Sequence, residues 1–442
     1  MTSADTLRDL KRINERYQMF HAMTDDVDPS GSKFLFSAKD NLTSKDMETC
    51  AGSRILEGYH PVFDATSISK LRDAGGKLIG KTNMDEFGFG TFSTNSGFEI
   101  PRNPYDLERA CGGSSGGSAC AASVIDDHVS LGVSTGGSIC CPASFCGVYG
   151  IAPTYGRVSR YGLIDYSNSL DKIGVISQKA TDLKKYMELI AGKDDRDPTS
   201  MVQPDFDTSY TKVKSVAIPK EGIEGLSKDV ESVFKDAVEQ LISMGVDIDY
   251  VDMPSLKYAM PAYYILATSE ASTNLARYVG MRYGHQDGDH TQKFDEYFTE
   301  VRSKYFGDEA KRRILLGTYA RMAGFGGRHY AKAREVRQVV IADYKRVLSD
   351  HDAVLAPTMP FTAPRFSDIS KMSALDSYKA DYLTVPANIA GTPHLSVPCG
   401  YDGEGMPVGM QFVADHWNEK VLFSIAEDWE KQFDLRRPEV SI

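Results

Sequence analysis

The sequence predicts an α/β protein, on three observations. Strand patterns alternate with amphipathic helices: Lys214–Ile218 is followed by a helix over 227–245 with Val230, Val233, Phe234, Ala237 and Leu241 on its apolar face, then by the strand Val246–Val251. The same alternation occurs earlier, where a helix over Ala65–Ala74 runs through Gly75-Gly76 into a strand at Lys77–Lys81. And 442 residues suffice to bury a large core, as one big α/β unit or as two domains, without covalent staples.

Taken in order, residues 4–24 read as a helix, with Leu7, Leu10, Ile13 and Tyr17 at near-helical spacing. Lys33–Ala38 is a buried-strand pattern that delivers Lys39 at its end, just before Asp40-Asn41. Read locally this is an ordinary surface turn; a lysine desolvated at a strand end, however, has a lowered pKa and can serve as a base. Gly75–Thr82 satisfies the G-x-x-x-x-G-K-T pattern of a phosphate-binding loop, but such a loop follows a strand and opens a helix, and here the order is reversed. Asn83–Gly97, rich in Gly, Phe, Asn and Ser, reads as a long loop able to line a pocket. Ala119–Ile125 looks helical and His128–Val133 strand-like, while Gly147–Asp171, with Pro153 and several Gly and Ser, reads as mostly ordered loop. Residues 181–192 form an amphipathic helix, and 255–350 are predominantly helical and rich in Tyr, Arg and Ala. Ala353–Ala356, His394–Pro398 and Val408–Val413 resemble core strands, and Glu419–Phe433 a closing helix.

A formal net charge of −11 argues against this chain being the main grip on a polyanion, so any nucleic acid should be held by a partner. The seven cysteines are odd in number and lack a Cys-x-x-Cys pair, which fits a reducing compartment. The mixed-charge N-terminus has no signal-peptide core and no run approaches eighteen apolar residues, so a cytoplasmic protein without a membrane span is expected.

The chemistry concentrates in residues 111–146, where Gly-Gly-Ser-Ser-Gly-Gly-Ser frames Ser114 and Thr-Gly-Gly frames Ser138. Glycine lets a ligand approach the backbone closely, so Thr135-Gly136-Gly137-Ser138 can turn several N–H groups towards an oxyanion. A flexible linker would not be flanked by the apolar, Cys-rich segments Ala119–Ile125 and Ile139–Val148. Gly112–Gly116 matches G-x-S-x-G, but the preceding NPYDLERAC is loop-like where a nucleophile elbow needs a strand. The nine histidines include no H-x-x-x-H or H-E-x-x-H pattern, so no metal is expected. A relay in which a neutral lysine activates one serine through another fits best.

Lys39-Asp40-Asn41, the Gly112–Ser118 run and Thr135-Gly136-Gly137-Ser138-Ile139, in that order, resemble the amidase signature family. Within it, KTNMDEFGFG (81–90), PRNPYD (101–106), GGSSGGSA (112–119), the 142–164 run, SLDKIG (169–174), SEAS (269–272), KRRILLGTYA (311–320), the Tyr378–Gly391 run and SVPCG (396–400) resemble the A subunits of GatCAB tRNA-dependent amidotransferases. The likeness covers most of the chain from about residue 33, and the N-terminal portion is short for that kind of protein.

The resemblance implies one amidase signature domain over 1–442, a mixed central sheet flanked by helices, with a catalytic core over 33–175 and the helical excursion at 255–350 serving the substrate pocket. It implies a glutaminase with Ser138 as acyl-forming nucleophile, Ser114 as the bridging serine after a cis peptide bond, Lys39 as base, and the amides of Thr135, Gly136, Gly137 and Ser138 as oxyanion hole. For the glutamine it points to Arg313, Asp381 and one of Tyr263 or Tyr264: Arg suits the α-carboxylate and Asp the α-ammonium. Read locally, Arg313 beside Arg312 in a helix is a solvated charge. The partners implied are one B-type and one small C-type subunit in a heterotrimer, with ATP, Mg²⁺ and tRNA on the partner and no cofactor on this chain. Whether Glu-tRNA(Gln) or Asp-tRNA(Asn) accepts the ammonia stays open; a stand-alone amidase on small amides and a non-catalytic binding module are the rivals. Relatives commonly carry an acid before the Thr and an arginine after the Ile of the nucleophile loop, where this chain has Ser134 and Cys140. If those two pair, losing both leaves no orphaned buried charge.

Overall fold

The computed structural model describes residues 3–25, 31–200, 203–287, 289, 291–322 and 327–440. Its strands are β1 (Phe20–Met23), β2 (Phe34–Lys39), β3 (Gly76–Thr82), β4 (His128–Ser134), β5 (Tyr149–Ala152), β6 (Lys172–Ser177), β7 (Ser215–Pro219), β8 (Asp247–Val251), β9 (Ala353–Pro357), β10 (His394–Tyr401) and β11 (Pro407–Val413). The helices are α1 (Ser3–Tyr17), α2 (Thr66–Asp73), α3 (Gly116–Val124), α4 (Cys140–Phe145), α5 (Ala180–Ile190), α6 (Lys228–Ser243), α7 (Leu256–Asn274), α8 (Phe294–Tyr305), α9 (Asp308–Arg321), α10 (Arg328–Leu348), α11 (Phe366–Ile369), α12 (Ala374–Lys379), α13 (Val385–Ala390) and α14 (Glu419–Glu430).

The strands form one eleven-stranded sheet in the order β1-β3-β2-β4-β6-β5-β10-β11-β9-β7-β8. Two parallel blocks, β3-β2-β4 and β9-β7-β8, are joined by antiparallel pairing through β6, β5, β10 and β11, which makes the sheet mixed. Side chains alternate across it, as a pleat requires. Leu355 and Phe412 join the core with Leu71, Leu183, Leu241 and Leu422 of α2, α5, α6 and α14. Their neighbours Val354 and Val413 join a second cluster with Leu266, Ala310, Val340 and Val385 of α7, α9, α10 and α13.

Local signals act as expected in several places. Ser227 caps α6 by accepting the Val230 N–H, and Asp229 and Glu231 sit in its first turn, where the helix dipole favours acids. Gly75 takes φ +94 just past α2, so the glycine pair ends a helix and leads into β3; the phosphate-loop reading is excluded by this order. Two expectations need correction. The N-terminal helix stops at Tyr17, because Gln18 turns to φ 52 and Asn14 Oδ1 accepts the Phe20 N–H at 2.8 Å, and 20–23 continue as edge strand β1. The 147–171 stretch is not mostly loop at its start: Tyr149–Ala152 is β5, held between β6 and β10.

The topology sets up the site. β2 and β4 are parallel neighbours, with Ala38 opposite Leu131, so their C-terminal ends emerge on the same side. Lys39 is the last residue of β2, and Thr135–Ser138 form the turn between β4 and α4.

Candidate active site

Lys39 is 1% exposed, and its Nζ donates to Ser114 Oγ at 2.7 Å and to the Val133 carbonyl at 3.0 Å. Burial pushes its pKa down from the ordinary 10.5 to about 7, against the opposing pull of the Asp85 and Asp171 charges. Ser114 is held by the backbone around it. The Gly113–Ser114 peptide bond is cis, Ser93 Oγ donates to the Gly112 carbonyl at 2.8 Å, and Gly116 N donates back to Ser93 Oγ at 3.1 Å. Asp85 fixes that loop by accepting the Ser93 and Asn95 N–H groups, each at 2.9 Å.

The nucleophile turn is tied to the serine loop through Ser115 N, which donates to Ser138 O at 3.2 Å. Among the described residues no hydrogen bond links the Ser138 and Ser114 hydroxyls. Three contacts shape the turn. Thr135 Oγ1 donates to Asp171 at 2.6 Å, Asn388 Nδ2 donates to the Thr135 carbonyl, and Ser134 Oγ donates to the Gly136 carbonyl at 2.8 Å. Gly137 is pressed against Thr384, so closely that any Cβ there would collide with it.

Two of the residues expected to hold a substrate, Asp381 and Tyr263, contact this turn. Asp381 lies beside Gly137; its Oδ2 accepts from Thr91 Oγ1 at 2.9 Å, while Oδ1 is buried without a hydrogen-bond partner. Burial raises its pKa to about 7. Arg313 is 3% exposed, which overturns the solvated-charge reading. Its Nε donates to Glu309 at 2.7 Å and Nη1 to Tyr166 OH at 2.6 Å, inside a box of aromatic rings from Phe89, Tyr166, Tyr264 and Tyr378 at 5.2–5.7 Å. Of the two candidate tyrosines, Tyr263 packs against Gly136, and Tyr264 stacks on Tyr378 at 4.3 Å over the guanidinium. Outside that stacked pair opens an apolar cavity of about 390 Å³, lined by Met260, Tyr264, Leu316, Tyr319 and Tyr378 among others.

Several residues that shape the site carry no motif of their own. Asp85, Glu309, Tyr166, Tyr378, Thr384 and Asn388 act through contacts 69 to 253 residues apart or through the backbone, as in Tyr378 OH to Glu309 and Asn388 to Thr135. For Asp85, Tyr378, Thr384 and Asn388 the signal available in sequence was membership of the 81–90 and 378–391 runs quoted above; Glu309 and Tyr166 lie outside every quoted run and carried none. Ser134 and Cys140 are both fully buried; Cys140 Sγ turns to the Gly150 carbonyl at 3.7 Å, and no hydrogen bond joins it to Ser134. No charge is left buried at either position.

A glycine turn carrying Ser138, tied through the Ser115 N–H to a loop whose neighbouring Ser114 is hydrogen-bonded to a buried lysine, is the arrangement of a serine amidohydrolase that needs no histidine. The chain belongs to the amidase family, whose sequence profile matches residues 34–423. It is similar to the A subunit of glutamyl-tRNA(Gln) amidotransferase from Archaeoglobus fulgidus, at 46% identity over 395 residues that cover 88% of this chain and 84% of that one. Its counterpart from Staphylococcus haemolyticus is 44% identical over 403 residues, 90% of this chain and 82% of that one. Among solved structures, the A subunit of glutamyl-tRNA(Gln) amidotransferase from Thermotoga maritima superposes with a TM-score of 0.85 at 35% identity, covering all of this chain and 94% of that one. A peptide amidase bound to the competitive inhibitor chymostatin superposes at 0.81 with 26% identity, covering all of this chain and 96% of that one. Among the described residues no helix is long and apolar enough to cross a membrane.

Proposed function

We propose that this chain is the glutamine-hydrolysing component of a tRNA-dependent amidotransferase. The single observation that carries the chemistry is the 2.7 Å hydrogen bond from buried Lys39 to Ser114, on a lysine whose pKa sits near 7. Ser138 Oγ turns towards Ser114 and attacks the side-chain amide carbon of glutamine; Ser114 takes its proton and passes its own to neutral Lys39. The oxyanion is received by N–H groups of the turn at 135–138, and the proton returns through Ser114 to the leaving nitrogen, releasing ammonia and an acyl-enzyme that water hydrolyses. Lys39 and Ser114 are catalytic residues in this scheme. Asp171 and Asn388, which touch no reacting atom, are positioning residues for the turn.

The pocket supports an amino-acid amide over a simple one. Asp381 Oδ1, buried and unpartnered, suits the α-ammonium, and the Arg313 charge, held in place by Glu309 and four rings, suits the α-carboxylate. Similarity to amidotransferase A subunits over most of the chain supports the destination of the ammonia: a B-type partner that uses ATP and Mg²⁺ on charged tRNA, accompanied by a small C-type one. The test is mass spectrometry after exposure to an electrophilic glutamine analogue. A single adduct on Ser138, absent from Ser138→Ala and not competed by aliphatic amides, is expected, with glutamine hydrolysis rising when the partner chains, ATP, Mg²⁺ and misacylated tRNA are added. Full hydrolysis by the isolated chain, with no partner bound, would make it a stand-alone amidase.

A further inference from the structure

A second cluster of chemically reactive side chains forms where edge strand β1 meets the loop that follows β2. His21 stands at a β-bulge, where the register of β1 on β3 slips between Phe20 and Ala22. Bulges re-aim a side chain, and here the imidazole packs on Phe98 at 4.0 Å with Nε2 turned to Glu48 Oε2 at 3.8 Å. That nitrogen is buried and makes no hydrogen bond. The other oxygen of Glu48 faces Cys50 Sγ at 3.1 Å. One nitrogen, one oxygen and one sulfur thus lie within 4.8 Å of one another.

We propose that His21 Nε2, the Glu48 carboxylate and Cys50 Sγ bind one divalent cation of the zinc class, with water in the fourth position. Bond lengths of about 2.0–2.3 Å around a tetrahedral zinc put neighbouring ligand atoms about 3.3–3.8 Å apart, so the site closes with small side-chain movements. The donor set matches a borderline-soft ion and not Mg²⁺ or Ca²⁺, which take oxygen ligands. The thiol's proton passes to solvent as the metal–sulfur bond forms, so one thiolate, one carboxylate and a neutral imidazole balance the two positive charges. The ligand loop is already set in place. Asp40 Oδ2 accepts the Cys50 N–H at 3.0 Å, Lys81 Nζ donates to Thr49 Oγ1 at 2.9 Å, and Gly58 N donates to Glu48. Glu48 is a quarter exposed and leaves an entry path. The three ligands are spread over an edge strand and a loop, at 21, 48 and 50, so no metal-site spacing shows in the sequence. The ion would staple the N-terminal helix-and-strand arm to the loop that follows Lys39.

The test uses the full chain, untagged, stripped with a chelator and titrated with Co²⁺. One equivalent should bind with a near-ultraviolet thiolate-to-cobalt band, which Zn²⁺ displaces, and the metal should raise the unfolding temperature. Cys50→Ser should abolish the band and His21→Ala should weaken binding by more than about 100-fold, beyond what loss of an outer partner costs. Cys399→Ser, on β10, should change nothing. Wild-type protein without the band, or a band that survives in Cys50→Ser, would overturn the assignment; since the first of these readouts is on the wild type, a poorly folding variant cannot hide the answer.

Discussion

Lys39 and Lys81 enter the interior from neighbouring parallel strands one register step apart, and both are fully buried, yet their surroundings differ in kind. Lys81 Nζ faces the Asp40 carboxylate at 3.3 Å and the Thr49 hydroxyl at 2.9 Å. Lys39 finds two neutral acceptors, a serine hydroxyl and a peptide carbonyl. Burial lowers the pKa of both, but a carboxylate in contact holds a proton on the first and nothing in contact does so on the second. Lys81 therefore has a counter-ion and Lys39, the proposed base, has none in contact; the partner atom, not the depth of burial, separates them.

The contrast can be broken by four measurements, the largest effect first. Lys39→Ala should lower glutaminase kcat by about 10² or more, the usual weight of a general base, and Lys39→Arg should not rescue it, because a guanidinium stays charged. Near-normal turnover by Lys39→Ala would end the relay. Lys81→Met should instead cost about 3–5 kcal/mol of stability in denaturant unfolding, since it leaves Asp40 buried without its cation, while the folded fraction keeps its turnover. A variant that loses turnover and keeps its stability would erase the distinction. Arg313→Ala should raise KM for glutamine by about 10- to 100-fold, the worth of a charged hydrogen bond, and far less for an uncharged amide; equal effects on both would remove Arg313 from the pocket.

The smallest effect concerns pH. Because Lys39 must be neutral to accept a proton, activity should fall as pH drops below about 7, tenfold per unit at the limit. Lys172, also buried and also held near 7 by burial, donates to the Thr392 carbonyl at 2.8 Å and makes no hydrogen bond to Ser114 or Ser138. The acid limb should therefore persist in Lys172→Met; its disappearance would assign it to the wrong lysine.

These assignments were unequally visible in the amino-acid sequence. Lys39, Ser114 and Ser138 sit in short glycine-framed or strand-end contexts whose chemistry is local, and the P-loop mimic at 75–82 could be dismissed on element order alone. Strand β5 could not be seen, because the four residues Tyr149–Ala152, just before Pro153, acquire strand character only from pairing with β6 and β10. The end of α1 was hidden for a similar reason. Met19, Phe20 and Met23 continue the apolar spacing, and a single backbone reversal at Gln18 decides the matter. Arg313 looked like a surface charge because its aromatic box is assembled from positions 89, 166, 264 and 378.

The clamp on the glycine turn has one more consequence, for a chain still being made. Thr384 and Asn388, which press Gly137 and hold the Thr135 carbonyl, come from the last part of the polypeptide, as does β10, which flanks β5. Synthesis delivers Lys39 and both serines long before these residues leave the ribosome, and a domain folds as a unit. A nascent or prematurely terminated chain thus carries the proposed lysine and serines and lacks the brace that shapes the turn.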